Sequence, residues 1–243
     1  MKKLIAGNWK MNTSKEDAAA LAQELAKGFG QGLPNADMVI CPPHVWLGLV
    51  TDQLKNSALQ LGAQDCHNAE KGAFTGNISA IMLKEIGAKY VIVGHSERRQ
   101  YHGETNELVK QKAEAALAQG LIPIVCVGET EAERTAGDQE KVVGQQLTES
   151  LPDNGKIVVA YEPVWAIGTG KTATNDDVAN MHKFMRAHIT KQVSGGDKIP
   201  LLYGGSVKSS NAKDILHLPD VDGVLVGGAS LQAPEFLAIA QAA

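Results

Sequence analysis

Three side chains that could move a proton or hold an anion each stand just past an apolar run of this 243-residue chain: Lys10 after residues 4–6, His95 after 90–93, and Glu162 after 157–161. Glu162 is the candidate base. Pro163 keeps its backbone extended, so the carboxylate projects from the end of the run. Partial desolvation there disfavours the charged form and raises basicity toward what is needed to take a proton beside a carbonyl. A structural ion pair with Lys10 or Arg98 is the alternative, and this segment alone does not separate the two. His95 lies in Gly94-His95-Ser96-Glu97-Arg98-Arg99, at the start of a short helical pattern. A helix amino terminus carries partial positive charge, which keeps a nearby imidazole neutral and able to polarise a carbonyl. The plainer alternative is a packing or capping histidine. Lys10, flanked by Asn8 and Trp9, would supply fixed positive charge to an anion or to a developing oxyanion, unless it is a solvated surface lysine.

After Glu162 runs Pro163-Val164-Trp165-Ala166-Ile167-Gly168-Thr169-Gly170-Lys171, an apolar stretch bounded by a stiff proline and two glycines. Such a stretch suits a lid that closes over a pocket and excludes water, its end residues absorbing the backbone change. An ordinary buried connection is the competing reading. Small-residue turns recur at Gly168, at Gly204-Gly205-Ser206 and at Gly227-Gly228-Ala229-Ser230. Glycine permits close backbone approach, so successive N–H groups can converge on phosphate oxygens.

Residues so far apart can share a pocket only if the intervening elements bring the run ends together. Eight short apolar runs, at residues 4–6, 38–40, 59–63, 90–93, 122–127, 157–161, 201–203 and 224–226, alternate with helical patterns, clearest at 16–27, 104–119, 138–150, 176–193 and 234–241. Near-continuous apolar character suits parallel strands covered on both faces. With no linker or low-complexity tract, this alternation predicts one α/β domain over residues 1–243, a closed barrel of eight parallel strands surrounded by helices. All strand ends then lie on one face, and the turns after strands seven and eight fall where barrels bind phosphate beside a short extra helix. An open doubly wound sheet is the rival, but the first strand–helix turn, Gly7-Asn8-Trp9-Lys10, lacks the GxGxxG of a dinucleotide site. Local punctuation agrees: Ser14 with Asp17 offers a capping box, Gly120 can end a helix, and Ser209 can cap one.

Composition excludes several classes. Lys plus Arg is 23 against 27 Asp plus Glu, so the formal net charge of -4 offers no basic excess for nucleic acid, and an anionic substrate needs local positive groups. Cys41, Cys66 and Cys126 form no CxxC pair and leave an odd thiol, which fits a reducing cytosol; all three are expected free. The opening Met1-Lys2-Lys3 resembles a signal peptide, but the apolar run behind it is too short and Asn8 ends it. Nothing approaches the roughly 18 apolar residues of a membrane span. A soluble, cytoplasmic protein with no nucleic-acid or membrane partner is expected.

Five blocks resemble, in order, the signature of the triosephosphate isomerase family: Gly7-Asn8-Trp9-Lys10-Met11-Asn12, Gly94 through Arg99, Ala160 through Lys171, Tyr203-Gly204-Gly205-Ser206-Val207, and Val226-Gly227-Gly228-Ala229-Ser230. The match runs nearly end to end. The resemblance implies a (β/α)8 TIM barrel and an isomerase without cofactor or metal. Such an enzyme interconverts dihydroxyacetone phosphate and D-glyceraldehyde 3-phosphate through an enediolate, in glycolysis and gluconeogenesis. It further implies Glu162 as catalytic base, His95 as electrophile, Lys10 as electrostatic stabiliser and Asn8 as a substrate contact. Backbone groups of Gly168, Ser206, Gly227 and Gly228 would hold the phosphate, with Glu97 and Ser96 supporting the site. That division of labour belongs to the family, and residue spacing by itself does not assign it. A homodimer is implied as well, in which the loop Gln64-Asp65-Cys66-His67-Asn68 through Phe74-Thr75-Gly76 inserts beside the neighbouring active site, led by Thr75. One departure, a stretch between Thr130 and Lys156 shorter than in many bacterial relatives, touches no catalytic position. Two alternatives stay open: a Schiff-base aldolase with Lys10 as nucleophile, and a non-catalytic sugar-phosphate binder on the same barrel.

Overall fold

Eight strands close on themselves in the computed structural model, which describes residues 2–169 and 171–243; Met1, and Gly170 of the lid stretch, lie outside the described residues. The strands are β1 (Lys3–Asn8), β2 (Ala36–Cys41), β3 (Gln60–Ala63), β4 (Tyr90–Val93), β5 (Ile122–Val127), β6 (Val158–Tyr161), β7 (Leu201–Tyr203) and β8 (Gly223–Val226). All neighbours are parallel and in chain order, and the ladder from Leu4↔Gly223 to Gly7↔Val226 joins β8 to β1. That closure excludes the open doubly wound sheet. Among the described residues the surrounding helices are α1 (Lys15–Phe29), α2 (Leu47–Gln53), α3 (Ala80–Glu85), α4 (Ser96–His102), α5 (Asn106–Ala118), α6 (Glu131–Thr135), α7 (Gln139–Ser150), α8 (Asn175–Gln192), α9 (Ser209–Leu216) and α10 (Ala233–Gln241). The stretch between Thr130 and Lys156 folds as α6 and α7.

Alternation along each strand sorts its side chains into two cores. Leu4, Ala6, Ile92, Cys126, Ala160 and Leu225 fill the barrel interior, while Ile5, Val91, Val125, Val159 and Val224 pack outward under the helices. Burying such a Val, Leu or Ile contributes about 1.5–3 kcal/mol, so the register is set by apolar packing and the polar ends follow it. A period of two then decides what reaches the mouth. The register that turns Leu4 and Ala6 inward also turns Asn8 inward, Val158 and Ala160 bring Glu162, and Leu202 and Leu225 put Gly204 and Gly227 there.

The capping box at α1 is formed: Asp17 N–H donates to Ser14 Oγ at 3.1 Å and Ser14 N–H to Asp17 Oδ2 at 3.4 Å. Gly120, with φ of +71°, follows the end of α5. Ser209 is a correction. It is the first residue inside α9, and Lys208 takes the capping position, its N–H donating to Asn211 Oδ1 at 2.8 Å. Ser209 Oγ instead donates to Glu235 Oε2 at 2.9 Å, a charged acceptor that outcompetes the neutral cap. All three cysteines are free and buried, and burial pushes the thiols of Cys41 and Cys66 up to about 12.

Candidate active site

Past β1 the chain turns sharply. Trp9 is fully buried, and Lys10 adopts a left-handed φ of 52°, a conformation that costs a residue with a side chain about 1–3 kcal/mol. Neighbours hold it there: Lys10 N–H donates to Asn8 Oδ1 at 3.0 Å, and Gln64 Nε2 donates to Lys10 O at 2.8 Å. The result aims Lys10 Nζ at Glu97 Oε1, 2.5 Å away. Lys10 is therefore no solvated surface lysine.

Gly94, with φ of +66°, ends β4 and places His95 at the capping position of α4. Its Nδ1 accepts the Glu97 N–H at 3.2 Å, which assigns the proton of the neutral ring to Nε2. Nε2 lies 2.8 Å from Glu162 Oε1. His95 is thus a capping residue and a site residue at once, and the two sequence readings do not compete. Burial lowers its pKa, but the Glu162 carboxylate outweighs burial and raises it above the ordinary value. The helix terminus, expected to dominate, does not while this carboxylate is in contact.

Glu162 is 2% exposed. Its backbone is seated by Gly128, where a Cβ would stand 1.7 Å from Glu162 O, so only glycine allows this approach. Besides His95, its carboxylate meets the Ser96 N–H, which donates to Oε2 at 2.8 Å. Neither Lys10 nor Arg98 forms the structural ion pair considered for it: Lys10 holds Glu97, and Arg98 holds Asp65 at 3.0 Å and Glu104 at 2.6 Å. Burial alone would raise the Glu162 pKa, yet His95, the Ser96 N–H and Lys10 together hold it below the usual carboxylate range. The expectation of raised basicity is corrected for this arrangement, because two donors touch the carboxylate directly.

Asn8, Lys10, His95 and Glu162 line one cavity of about 440 Å3 together with Gly168, Ser206, Gly227 and Gly228. Gly227 precedes the short helical turn Gly228–Leu231, and a Cβ at Gly228 would meet nothing within 4 Å, which leaves its backbone open to a ligand. Glu97 and Ser96 border the site as described. A second cavity of about 610 Å3 lies behind Glu162, between residues 164–169 and the ends of β4 and β5, and Glu162 is part of the wall between the two.

The lid stretch begins as a tight turn, Val164–Ala166. Its foot is pinned by Glu129, a fully buried carboxylate whose Oε1 accepts from Trp165 Nε1 at 2.8 Å, Tyr161 OH at 3.0 Å and Arg134 Nη1 at 3.2 Å. The Arg134 guanidinium also lies 4.5 Å from the Trp165 ring centroid, a cation–π contact. On the cavity side, Ser206 Oγ donates to Ala166 O at 3.3 Å. Glu129 was missed by reading the sequence, although it carries the same signal as the others, a charged residue directly after a strand. Lys208, another cavity-lining residue, gave no signal because its run reads as an ordinary helix start. Thr75 is exposed and lines neither this cavity nor a smaller one of about 210 Å3 beside Lys10, Met11, His44, Gln64 and Tyr101.

Comparison with known proteins places these features in company. A family model described as Triosephosphate isomerase matches residues 3–243. The triosephosphate isomerase of Granulibacter bethesdensis is 52% identical over 247 residues, covering 100% of this chain and 99% of that protein. That of Rhodopseudomonas palustris is 54% identical over 243 residues, covering 98% and 96%. The crystal structure of triosephosphate isomerase from Bartonella henselae superposes with a TM-score of 0.91 at 42% identity, covering 100% and 99% of the two chains.

Proposed function

The chain belongs to the triosephosphate isomerase family, and on that premise we propose that Glu162 is the base that carries a proton between the two carbons of dihydroxyacetone phosphate and D-glyceraldehyde 3-phosphate. The observation that carries the assignment is the 2.8 Å approach of His95 Nε2 to Glu162 Oε1 in the wall of a cavity whose other end is built from Ser206, Gly227 and Gly228. A triose phosphate bound with its phosphate at the glycine turns presents its carbonyl and hydroxyl carbons to that pair. Its oxygens then take over the Nε2–H of His95, so the ring donates to substrate and no longer to Glu162. Freed of His95 and Ser96, the buried carboxylate loses the contacts that depress its pKa, and desolvation then raises its basicity. The family is the standing example of this pairing of glutamate base and neutral histidine.

Lys10 stabilises the charge that develops on the enediolate oxygens, Asn8 contacts substrate while fixing the Lys10 backbone, and Glu97 orients the ammonium. Backbone N–H groups of Gly168, Ser206, Gly227 and Gly228 hold the phosphate. The lid, drawn in by Gly168, excludes water so that the enediolate is not lost by eliminating phosphate. In this reading Lys10 serves as an ion-paired cation, its Nζ 2.5 Å from Glu97 Oε1, and not as a Schiff-base nucleophile. Borohydride reduction in the presence of substrate therefore leaves Lys10 unmodified, and a trapped adduct would support the aldolase instead.

The reaction belongs to sugar breakdown by glycolysis and to its reversal in gluconeogenesis, in the cytoplasm; no helix among the described residues is long and apolar enough to cross a membrane. The working unit is a homodimer in which the Thr75 loop fills the 210 Å3 cavity beside Lys10 in the other subunit. A coupled assay on purified protein tests the whole reading: dihydroxyacetone phosphate is turned over without added cofactor or metal. Binding without turnover would instead mark a sugar-phosphate binder.

A further inference from the structure

Two lysines line the catalytic cavity, and one of them is already engaged. Lys10 Nζ sits 2.5 Å from Glu97. Lys208 makes no ion pair among the described residues, although it lines the same cavity. Its acidic neighbour Glu235 is occupied elsewhere, accepting the Ser209 N–H at 2.7 Å and the Ser209 O–H at 2.9 Å. The root of Lys208 is fixed relative to the phosphate turn, because Asn211 accepts the Lys208 N–H at 2.8 Å and donates to Ser206 O at 3.2 Å. Its side chain is exposed and, although its charge is felt by Glu235, it forms no ion pair there, so the ammonium can follow a ligand inward.

Charge balance gives this placement a purpose. The ionised groups of the cavity wall are Lys10, Lys208 and Glu162, and Glu97 offsets Lys10 from behind. Without Lys208 the mouth would be net negative toward a doubly charged phosphate ester, on a chain whose formal net charge is already -4. We propose that Lys208 is an electrostatic steering residue, which draws the phosphate group toward Ser206, Gly227 and Gly228 and touches none of the reacting carbons. The proposal rests on the assignment of those three residues to the phosphate.

One positive charge acting on a dianion across several ångströms of water changes capture by a few-fold, and the effect disappears as salt shortens the screening length from about 30 Å at 0.01 M to about 3 Å at 1 M. At low ionic strength kcat/KM for dihydroxyacetone phosphate should fall about threefold in Lys208→Met and about tenfold in Lys208→Glu, and be kept in Lys208→Arg. The loss falls on KM, and the variants converge on the parent at high salt. Isomerisation of phosphate-free D-glyceraldehyde should be the same in all four proteins, a result that a merely structural role would not give. Lys208→Glu matching the parent at low salt would overturn the proposal, as would equal losses on glyceraldehyde. Failure of the underlying assignment is read separately: the parent itself would then prefer glyceraldehyde 3-phosphate no more than glyceraldehyde.

Discussion

Glu162 is held by the same groups it would have to leave to act as the proposed base. In the cavity as it stands, its carboxylate accepts from His95 and from the Ser96 N–H, which keeps its pKa low and its position fixed. The proposed phosphate site is built from other atoms at the far end, so base and anchor would be separable by substitution. Glu162→Gln keeps the shape and loses the basicity; kcat should drop by about 10^3 or more, in line with the 10^2–10^4 that general bases supply, while affinity for inorganic phosphate changes less than about twofold. Parallel losses in kinetics and in phosphate titration would dissolve that separation. The pH profile adds a second check. Because contact with His95 lowers the Glu162 pKa, removing the ring in His95→Ala should move the acid limb of kcat/KM to higher pH, alongside a large loss of rate. An acid limb that stays in place would mean the rate reports some other group.

At the scale of elements, strands were legible and short helices, α4 after His95 excepted, were not, for a physical reason. Each strand is covered on both faces, so it appears as a bare apolar run, and the polar residue that ends the run stands out; Asn8, His95 and Glu162 were found that way. Helices α2, α3, α4 and α6 have five to seven residues, too few for a periodic stripe or for stability alone. They form because tertiary neighbours and caps hold them, as Thr130 and Glu133 do reciprocally at α6. The depressed pKa of Glu162 was hidden for a similar reason, since its Ser96 donor comes from a different strand end. Longer helices carry constraints of their own. In α8, His182 is fully buried; Nδ1–H donates to Asp220 O at 2.9 Å, Nε2 finds no partner among the described residues, and burial pushes the pKa down to about 4. Between the ordinary histidine value of about 6.5 and about 4, the unfolded chain takes up a proton that the folded chain refuses, so stability is complete above this window and is lost as pH falls through it, by about 2–3 kcal/mol from this group. In His182→Gln, whose amide can still donate to Asp220 O, urea unfolding at pH 7 and pH 4.5 should differ less than in the parent by about that amount. An unchanged difference would shift the acid sensitivity onto other groups. The lid is tested by deletion: removing residues 166–169 should weaken binding of an enediolate analogue and release inorganic phosphate during turnover, and turnover free of phosphate release would argue against a shielding role.

Across the whole molecule, exposed apolar side chains gather beside one cavity. Exposed hydrophobics scattered singly are ordinary, but Met11 is 96% exposed, Tyr101 72% and Val45 73%, and Met11 and Tyr101 line the 210 Å3 cavity that opens beside Lys10. Hydrogen bonds tie this region into one unit: Gln64 Nε2 to Lys10 O at 2.8 Å, and His44 Nε2 to Asp65 O at 2.8 Å. Beneath it lies a charged cluster, with Lys112 Nζ at 2.8 Å from Asp65 and 2.5 Å from Glu104, and Arg98 at 3.0 Å from Asp65. Such a network removes freedom from the base of the loop that carries Thr75, while Phe74 packs on His67 with ring centroids 4.2 Å apart and stiffens its tip. In the proposed homodimer, the exposed Thr75 loop and the cavity beside Lys10 would be the two halves of a self-complementary, two-fold interface. That cavity also borders the strained Lys10, so filling it would hold in place the ammonium proposed to stabilise the enediolate. The parent should therefore sediment at twice the chain mass. Thr75→Arg, which brings bulk and a positive charge up to Lys10, should give a folded monomer whose kcat/KM is lower by about 10^2, the order of loss expected when a catalytic group is misplaced by about 1 Å. A monomeric variant of undiminished activity would show that each barrel completes its own site, and a parent that stays monomeric at micromolar concentration would remove the interface altogether.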